Sequence, residues 1–205
     1  TVDPGAILVL QGGGNVSTPQ DRDSDTLNLG AFSVAVTYDL GQTEAVRTTQ
    51  GSFFALGFEN VIGGSGADRL SGNDEDNRIA GGRGRDQLQG DLGADTLVGG
   101  GAADRFIFTD VEESSVEDGD LIIGFNRSAG DRINLQALDA NMDLDGNQAF
   151  VFLGAGAFTG VAGQLRAVRE NGKTIITADL DGDSVADFGL SLNTEITLTA
   201  GAFLL

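Results

Sequence analysis

Large apolar residues recur at every ninth position through the middle of the chain. The column consists of Val61, Leu70, Ile79, Leu88, Leu97 and Phe106. From the second repeat onward, a glycine cluster and a short polar residue come before the apolar position. Each repeat therefore predicts a turn followed by a short strand, and six repeats in one register are not a chance pattern.

A second column lies two positions before the apolar one. It consists of Glu59, Asp68, Asn77, Asp86, Asp95 and Asp104. From residue 63 to residue 107 the repeats are five consecutive blocks, GGSGADRLS, GNDEDNRIA, GGRGRDQLQ, GDLGADTLV and GGGAADRFI. Their strict spacing disfavours a flexible glycine-rich linker. A phosphate-binding loop is also disfavoured, because neither GK[ST] nor a glycine turn that opens a helix is present.

The charge of the chain narrows the possible partners. Its 205 residues carry a formal net charge of -19, so nucleic acid and anionic membrane surfaces would be repelled. Histidine and cysteine are both absent, which removes the common nucleophile pairs, zinc sites and disulfides. No apolar run reaches the roughly 18 to 20 residues needed to span a bilayer, so membrane insertion is not expected.

Glycine and aspartate at these positions point to a hard cation. Glycine allows backbone carbonyls to converge, and aspartate is the shortest carboxylate that can complete an oxygen cage. Aspartates on stacked turns about 4.8 Å apart would repel each other by roughly 3 kcal/mol per pair without a cation between them. We therefore expect residues 59–108 to fold on binding several Ca²⁺ ions. The candidate ligands in the blocks are Gly63, Gly64, Gly66, Asp68, Asn77, Gly81, Gly82, Gly84, Asp86, Gly90, Gly93, Asp95, Gly99, Gly100 and Asp104.

The blocks resemble the RTX nonapeptide repeat GGxGxDxUx, in which U is a large apolar residue. The resemblance implies an all-β fold, a right-handed parallel β-roll in which two blocks form one coil and each block stacks on the next but one. Departures from the consensus lead us to expect the strongest cation sites at Asp68 and Asp86. The arginines at positions 69, 78, 83, 85 and 105 would lie on the loops. Charge balance for the acidic turns is the favoured interpretation, and contact with a ligand is the alternative.

The stretch from Asp104 to Leu205 resembles the C-terminal domain of serralysin-type peptidases. The matching segments are ADRFIF, DLIIGF, GDRINL, NQAFVFLG, AGQLR, ADLDGDSVADF and LTAGAFLL. By this resemblance the roll is capped by a C-terminal antiparallel β-sandwich, and Glu113 with Asp120 form a further calcium pair. Asp120 and Asp131 each stand two residues before an isoleucine and predict capping coils.

Two further acidic clusters resemble the opening of an EF-hand loop. One runs from Asp139 to Asp145, and the other consists of Asp179, Asp181, Asp183 and Asp187. Neither cluster has glutamate at the twelfth position. The alternative for both is a solvated turn between strands, stabilised by its own aspartates.

Four regions are expected along the chain. Residues 1–20 predict a linker or the edge of an upstream domain, and residues 21–58 predict degenerate strands that lead into the roll. Residues 59–108 form the calcium-binding roll, and residues 109–205 form the serralysin-like cap. Glu170 to Lys173 predict a tight hairpin turn within that cap.

The functional hypothesis is a non-catalytic, calcium-binding module of a secreted, extracellular bacterial protein. The resemblance implies type I secretion, with an uncleaved signal in roughly the last fifty residues, so the expected partners are calcium ions, the type I secretion machinery and an upstream domain of the same polypeptide. One alternative is an adhesin or a carbohydrate- or surface-binding module. A second is the C-terminal part of a secreted hydrolase or epimerase whose catalytic residues lie elsewhere.

Overall fold

The computed structural model describes residues 9–11, 25–42, 46–48 and 51–205. These residues form strands, turns and two short 3₁₀ segments, Val111–Glu113 and Ala200–Ala202, and no α-helix occurs among them. The all-β class expected from the repeats is confirmed.

Eighteen strands are present in the described residues. In chain order they are β1 (Val9–Gln11), β2 (Thr26–Asn28), β3 (Val36–Asp39), β4 (Val46–Thr48), β5 (Gly51–Leu56), β6 (Asn60–Ile62), β7 (Arg69–Ser71), β8 (Arg78–Arg83), β9 (Gln87–Gln89), β10 (Thr96–Gly101), β11 (Arg105–Ile107), β12 (Leu121–Ile123), β13 (Arg132–Asn134), β14 (Val151–Phe152), β15 (Gln164–Glu170), β16 (Lys173–Asp179), β17 (Phe188–Leu192) and β18 (Phe203–Leu204).

The strands form two nine-stranded sheets between which the chain alternates. One sheet has the order β1-β5-β4-β3-β7-β9-β11-β13-β18, and the other has the order β14-β15-β16-β17-β12-β10-β8-β6-β2. Within the repeats every pair is parallel and joins strands eighteen residues apart, so that Leu70 lies beside Leu88 and Ile79 beside Leu97. Two nine-residue blocks therefore make one coil, and the predicted parallel roll is confirmed.

The apolar column forms the core between the sheets. Its members have no exposed surface: Val61, Leu70, Ile79, Leu88, Leu97 and Phe106. Ile122 and Ile133 continue the column in β12 and β13, whose strands extend the parallel stack beyond residue 108. A strand of three residues suffices here, because only its central side chain must enter the core.

Three strands of the cap are antiparallel, as expected, and they extend a sheet of the roll, while β14 adds to β15 in parallel. β15, β16 and β17 pair antiparallel to one another, and β17 then pairs in parallel with β12. The predicted hairpin turn joins β15 to β16, with positive φ at Asn171 (52°) and Gly172 (83°), as the favoured two-residue hairpin requires. On the other sheet, β18 adds to β13 in parallel.

The N-terminal region differs from a plain continuation of the roll. β3, β4 and β5 pair antiparallel to one another, although β3 also pairs in parallel with β7. In the segment 1–20, where the sequence predicts a linker or a domain edge, β1 pairs in parallel with β5. The remainder of that segment lies outside the described residues. The described residues contain no helix of the length and apolarity that a membrane span requires.

Candidate metal centres

The turns that connect the two sheets lie in two stacks. We call turns 63–68, 81–86, 99–104 and 124–131 the glycine edge, and turns 72–77, 90–95 and 108–120 the acidic edge. The predicted glycines lie on the glycine edge at 63, 64, 66, 81, 82, 84, 99 and 100, and on the acidic edge at 90 and 93. The last residue of every turn is a buried aspartate or asparagine. The nine-residue period thus places one short polar side chain per coil in each stack.

On the glycine edge the aspartates are linked from coil to coil. The Asp68 amide donates to Asp86 Oδ1 at 2.8 Å, and the Asp86 amide donates to Asp104 Oδ1 at 2.9 Å. The Asp104 amide continues the chain to Asp131 Oδ1 at 3.0 Å. One carboxylate oxygen of each aspartate therefore fixes the backbone of the preceding coil.

The second oxygens distinguish the middle of this column from its ends. Oδ2 of Asp86 and Oδ2 of Asp104 are buried without any hydrogen-bond partner. At the two ends, Asp68 Oδ2 accepts the Gly64 amide at 2.8 Å, and Asp131 Oδ2 accepts the Asn126 amide at 2.8 Å. A buried carboxylate oxygen without a partner is costly, so a positively charged group beside the two middle positions would stabilise them.

The acidic edge repeats this geometry with one change. The Asn77 amide donates to Asp95 Oδ1 at 2.7 Å, and the Asp95 amide donates to Asp120 Oδ1 at 3.0 Å. Oδ2 of Asp95 and Oδ2 of Asp120 are again buried and unpartnered. At Asn77 the side-chain Nδ2 instead donates to Glu59 O at 2.9 Å and to Asn73 Oδ1 at 3.0 Å. At position 77 the side-chain amide group therefore already has hydrogen-bond acceptors of its own.

Burial makes the four aspartates with unpartnered oxygens weak acids. It raises the pKa of Asp104 to about 6, those of Asp86 and Asp95 to about 7, and that of Asp120 to about 8. The hydrogen bond from the preceding coil lowers each pKa in part, and neighbouring carboxylates raise it further. Near neutral pH the ionised forms need a cation, and the oxygen donors fit Ca²⁺, which takes about six to eight such ligands.

Glycine is required where the turn approaches the carboxylate. A Cβ at Gly81 would collide with the Asp86 carboxylate, and Gly84 has a φ of 128°, which side chains rarely adopt. Two residues occupy glycine positions with positive φ, Asp91 at 64° and Ala102 at 75°. Burial raises the pKa of Asp91 to about 6, and the charges of Glu113 and Asp39 raise it further.

The predicted Glu113 and Asp120 both lie on the acidic edge, in different roles. Asp120 continues the column below Asp95. Glu113 is buried but already has partners: its carboxylate accepts from the Thr109 amide at 2.9 Å, from the Thr109 hydroxyl and from Gln89 Nε2 at 3.0 Å.

The second EF-hand-like cluster brings three carboxylates together. Oxygens of Asp179, Asp181 and Asp187 lie within 4.8 Å of one another, which no other three acidic residues achieve in the described part of the chain. The two carboxylate oxygens of Asp179 accept the amides of Gly182 and Ser184. Asp183 lies outside this group and is exposed, and its Oδ1 accepts the Val185 amide. The loop from 139 to 145 forms no such group.

The sequence profile of the peptidase M10 serralysin C-terminal family matches residues 51–203, about three quarters of the chain. This chain belongs to that family. The serralysin C-terminal family is of the RTX type, a calcium-binding repeat module found in secreted proteins. The RTX resemblance of the repeats is thereby confirmed.

Two solved structures are similar to this serralysin-type chain, both from the Azotobacter vinelandii mannuronan C5-epimerase. Its AlgE6R2 subunit is 22% identical, with a TM-score of 0.43, and the match covers 89% of this chain and 92% of that one. Its AlgE6R3 subunit is 24% identical, with a TM-score of 0.44, and the match covers 99% of this chain and 86% of that one. No curated protein sequence gave a significant match.

Sequence reasoning missed two features of this serralysin-type module. The sequence predicts Asp131 in a capping coil but not as a member of the aspartate column of the glycine edge; a triplet of aspartate, arginine and an apolar residue, shared by 68–70, 104–106 and 131–133, is the signal that could have identified it. The second feature is a cleft of about 710 Å³ on the acidic edge. Its acidic residues come from separate turns: Asp39, Asp74, Glu75, Asp91, Asp110, Glu112 and Glu113.

Proposed function

We propose that this chain is a module that folds on calcium, with the ions held between consecutive turns of both edges. Asp86 and Asp104 would hold them on the glycine edge, and Asp95 and Asp120 on the acidic edge. Bound calcium supplies the positive charge that allows buried carboxylates to stay ionised. The proposal rests on one observation: four fully buried aspartates in two columns each keep one oxygen without a partner.

The turn glycines, Asp68 and Asn77 have different roles under this proposal. The turn glycines serve by letting the backbone approach the carboxylates, and Asp68 contributes at the end of its column, where the Gly64 amide already occupies one oxygen. Asn77 is not a ligand, because its side chain presents an amide donor to the place where a cation would lie. We therefore expect stronger binding at Asp86 and Asp104 than at Asp68.

The Asp179 cluster is proposed as a weaker, separate cation site. Its three carboxylates converge, but Asp181 is exposed and backbone amides already bind both oxygens of Asp179. Asp179 is buried, but these amides already stabilise its charge, so little of the stability of the module would depend on an ion there.

A calcium titration of the metal-free chain tests the main proposal. Metal-free protein at neutral pH should lack most of its β signal in far-UV circular dichroism and should gain it cooperatively as calcium is added. Isothermal titration calorimetry should count at least one ion for each unpartnered aspartate pair. Magnesium at equal concentration should substitute poorly, because it demands a smaller octahedral site. Full β signal in the metal-free chain at neutral pH would end the proposal.

We further propose that the module has no catalytic role and supports type I secretion and stabilisation of an upstream part of the same polypeptide. In this proposal export comes first and folding on calcium follows. The C-terminal segment supports that order, since in the folded module Ala202 and Phe203 are buried and β18 pairs with β13. A signal in this segment would be readable only before calcium folds the roll. Deleting residues 194–205 should abolish export from a host with type I secretion, and unimpaired export would contradict the assignment.

A further inference from the structure

The outer face of one sheet carries a row of basic and amide side chains. Arg69, Gln87, Arg105 and Arg132 lie side by side on β7, β9, β11 and β13. The residues that follow them in each strand are fully buried, so these four side chains point away from the core. Consecutive members are one strand spacing apart, about 4.8 Å.

Three arginines meet at one cavity along this row. The cavity has a volume of about 360 Å³, and Arg85, Arg105 and Arg132 all line it. Gln87 lies beside Arg105 in register and adds an amide group to the lining. Arg85 comes from the glycine edge, so the cavity is formed jointly by a turn and the adjoining strands.

Within the residues that the structure describes, the recorded partners of these guanidinium groups are not carboxylates. The Arg69 guanidinium donates to Gln87 Oε1 at 3.4 Å, and that of Arg132 donates to the backbone oxygen of Asp131 at 2.8 Å. In the described part of the chain no carboxylate forms an ion pair with them or with Arg85 and Arg105. A chain with a net charge of -19 has acidic groups in excess, so this separation makes the face a distinct basic surface.

Two acidic residues do line the cavity, Asp86 and Asp104, and both are proposed calcium ligands. With calcium bound, their charge is neutralised and the arginines dominate the local potential. The other sheet offers a comparison, because its equivalent row contains Asn60, Arg78, Thr96, Leu121 and Ser191. A single arginine there suggests that arginine is not a general requirement of this strand position.

We propose that the arginine cavity of the calcium-loaded module binds a multivalent oxyanion. The forked guanidinium group matches the oxygens of sulfate, phosphate or carboxylate groups, and three such groups around one cavity favour a ligand with several of them. This inference rests on the proposed function, because calcium must first neutralise Asp86 and Asp104. Without calcium the fold that brings these arginines together should be lost, and the cavity with it.

The probe is inositol hexasulfate, titrated calorimetrically into the full chain at fixed free calcium. Binding should be saturable and should weaken at least tenfold in R105Q/R132Q. The matched control is R78Q, at the equivalent position of the other sheet, which should bind as the original chain does. Metal-free protein should give no binding. Far-UV circular dichroism of every sample reports calcium loading, so loss of binding in a fully loaded variant cannot come from misfolding.

The outcomes separate the two proposals. If the chain loads calcium but does not bind the hexasulfate, or if R105Q/R132Q binds it undiminished, the oxyanion site is wrong and the calcium proposal stands. If the chain takes up no calcium, both fail. Binding to both variants is also measured at several sodium chloride concentrations. If salt weakens the affinity for the probe by the same factor in R78Q and in R105Q/R132Q, and the two affinities are equal at each concentration, binding is non-specific and the site is again overturned.

Discussion

The two edges of the roll share one backbone design and differ in the side chains placed on it. On both, the aspartate that ends a turn accepts the amide of its counterpart one coil earlier, whereas Asn77 instead donates to Glu59 O. The glycine edge surrounds these residues mainly with glycine, whereas the acidic edge brings further carboxylates such as Asp74 and Asp91 into its turns. The nine-residue period therefore fixes the columns, and the residues chosen within each turn set their charge.

This difference indicates which residues of a turn determine whether that turn binds a cation. Replacing aspartate by asparagine at position 77 leaves the hydrogen bond between coils intact and removes the unpartnered oxygen. Replacing glycine by Asp91 adds a charge near Glu113 and places a non-glycine residue at positive φ. We infer that the glycine edge is the better cation binder per turn, while the acidic edge is the more destabilised without metal.

Removing the metal and raising the pH should give the largest effect on stability, and the two edges should lose stability over different pH ranges. The folded pKa values, from about 6 for Asp104 to about 8 for Asp120, lie above the ordinary value of 3.8, so the folded state holds these protons more tightly than the unfolded chain. Metal-free protein should thus be most stable below about pH 4 and should lose stability as pH rises to about 8.

Far-UV circular dichroism of metal-stripped protein between these limits measures this loss as a falling β signal, with thermal melts at the lower pH values where the fold persists. Each pKa unit corresponds to about 1.4 kcal/mol, so the four buried carboxylates together cost the metal-free fold on the order of 10 kcal/mol at the upper limit, which is comparable to the whole stability of a domain. In D120N the loss should end nearer pH 7, because the acidic edge supplies the highest of these pKa values. A melting temperature that is flat or rises with pH in this range contradicts the description of both edges.

The second prediction concerns the centre of the glycine edge. Asp86 is hydrogen bonded to its neighbours on both sides, so D86N should weaken two adjoining sites while keeping the acceptor for the Asp68 amide. At a calcium concentration one hundred times the dissociation constant, each lost ion removes about 2.7 kcal/mol, or roughly 5 to 10 °C in melting temperature. Calorimetric stoichiometry and thermal melts in calcium measure both quantities.

The control for D86N is D145N, which neutralises an exposed carboxylate in a cap loop. It should leave stoichiometry and melting temperature within error of the original chain. If D86N and D145N behaved alike, the unpartnered oxygen of Asp86 would have no part in metal binding.

The repeats themselves were predictable because period and burial are coupled in a roll. One apolar residue per block is enough to define the core, and all six predicted members are fully buried. The same period predicted the aspartate columns but not which oxygens lack partners, since that depends on donors such as the Gly64 and Asn126 amides. The expectation that the arginines lie on the loops was wrong for Arg69, Arg78 and Arg105, which lie in strands, because their position relative to the core follows from strand register.

Outside the repeats, prediction succeeded where local chemistry decides and failed where distant segments meet. The hairpin at Asn171 and Gly172 follows from the φ values that its two central residues tolerate. The acidic cleft does not follow from any local rule, because Asp39 and Asp110 come from segments some seventy residues apart and meet only after the roll has stacked. The antiparallel pairing of β3 and β4 also lacked a periodic signal.

Converting asparagine to aspartate on the acidic edge is the smallest of the three changes and the most direct test of the comparison. N77D replaces the Nδ2 donor with a carboxylate oxygen that faces Glu59 O and Asn73 Oδ1, the same unpartnered state as in Asp95. Without metal this should lower the melting temperature, because another buried charge has no partner. With calcium the variant should bind one ion more than the original chain, and the new ion should contribute about 2.7 kcal/mol at one hundred times its dissociation constant. N193D, at an exposed position where the side-chain Oδ1 only accepts the Gly124 amide, is the control and should change neither value. An unchanged stoichiometry in N77D would mean that the identity of the last residue in the turn does not decide which coils bind calcium.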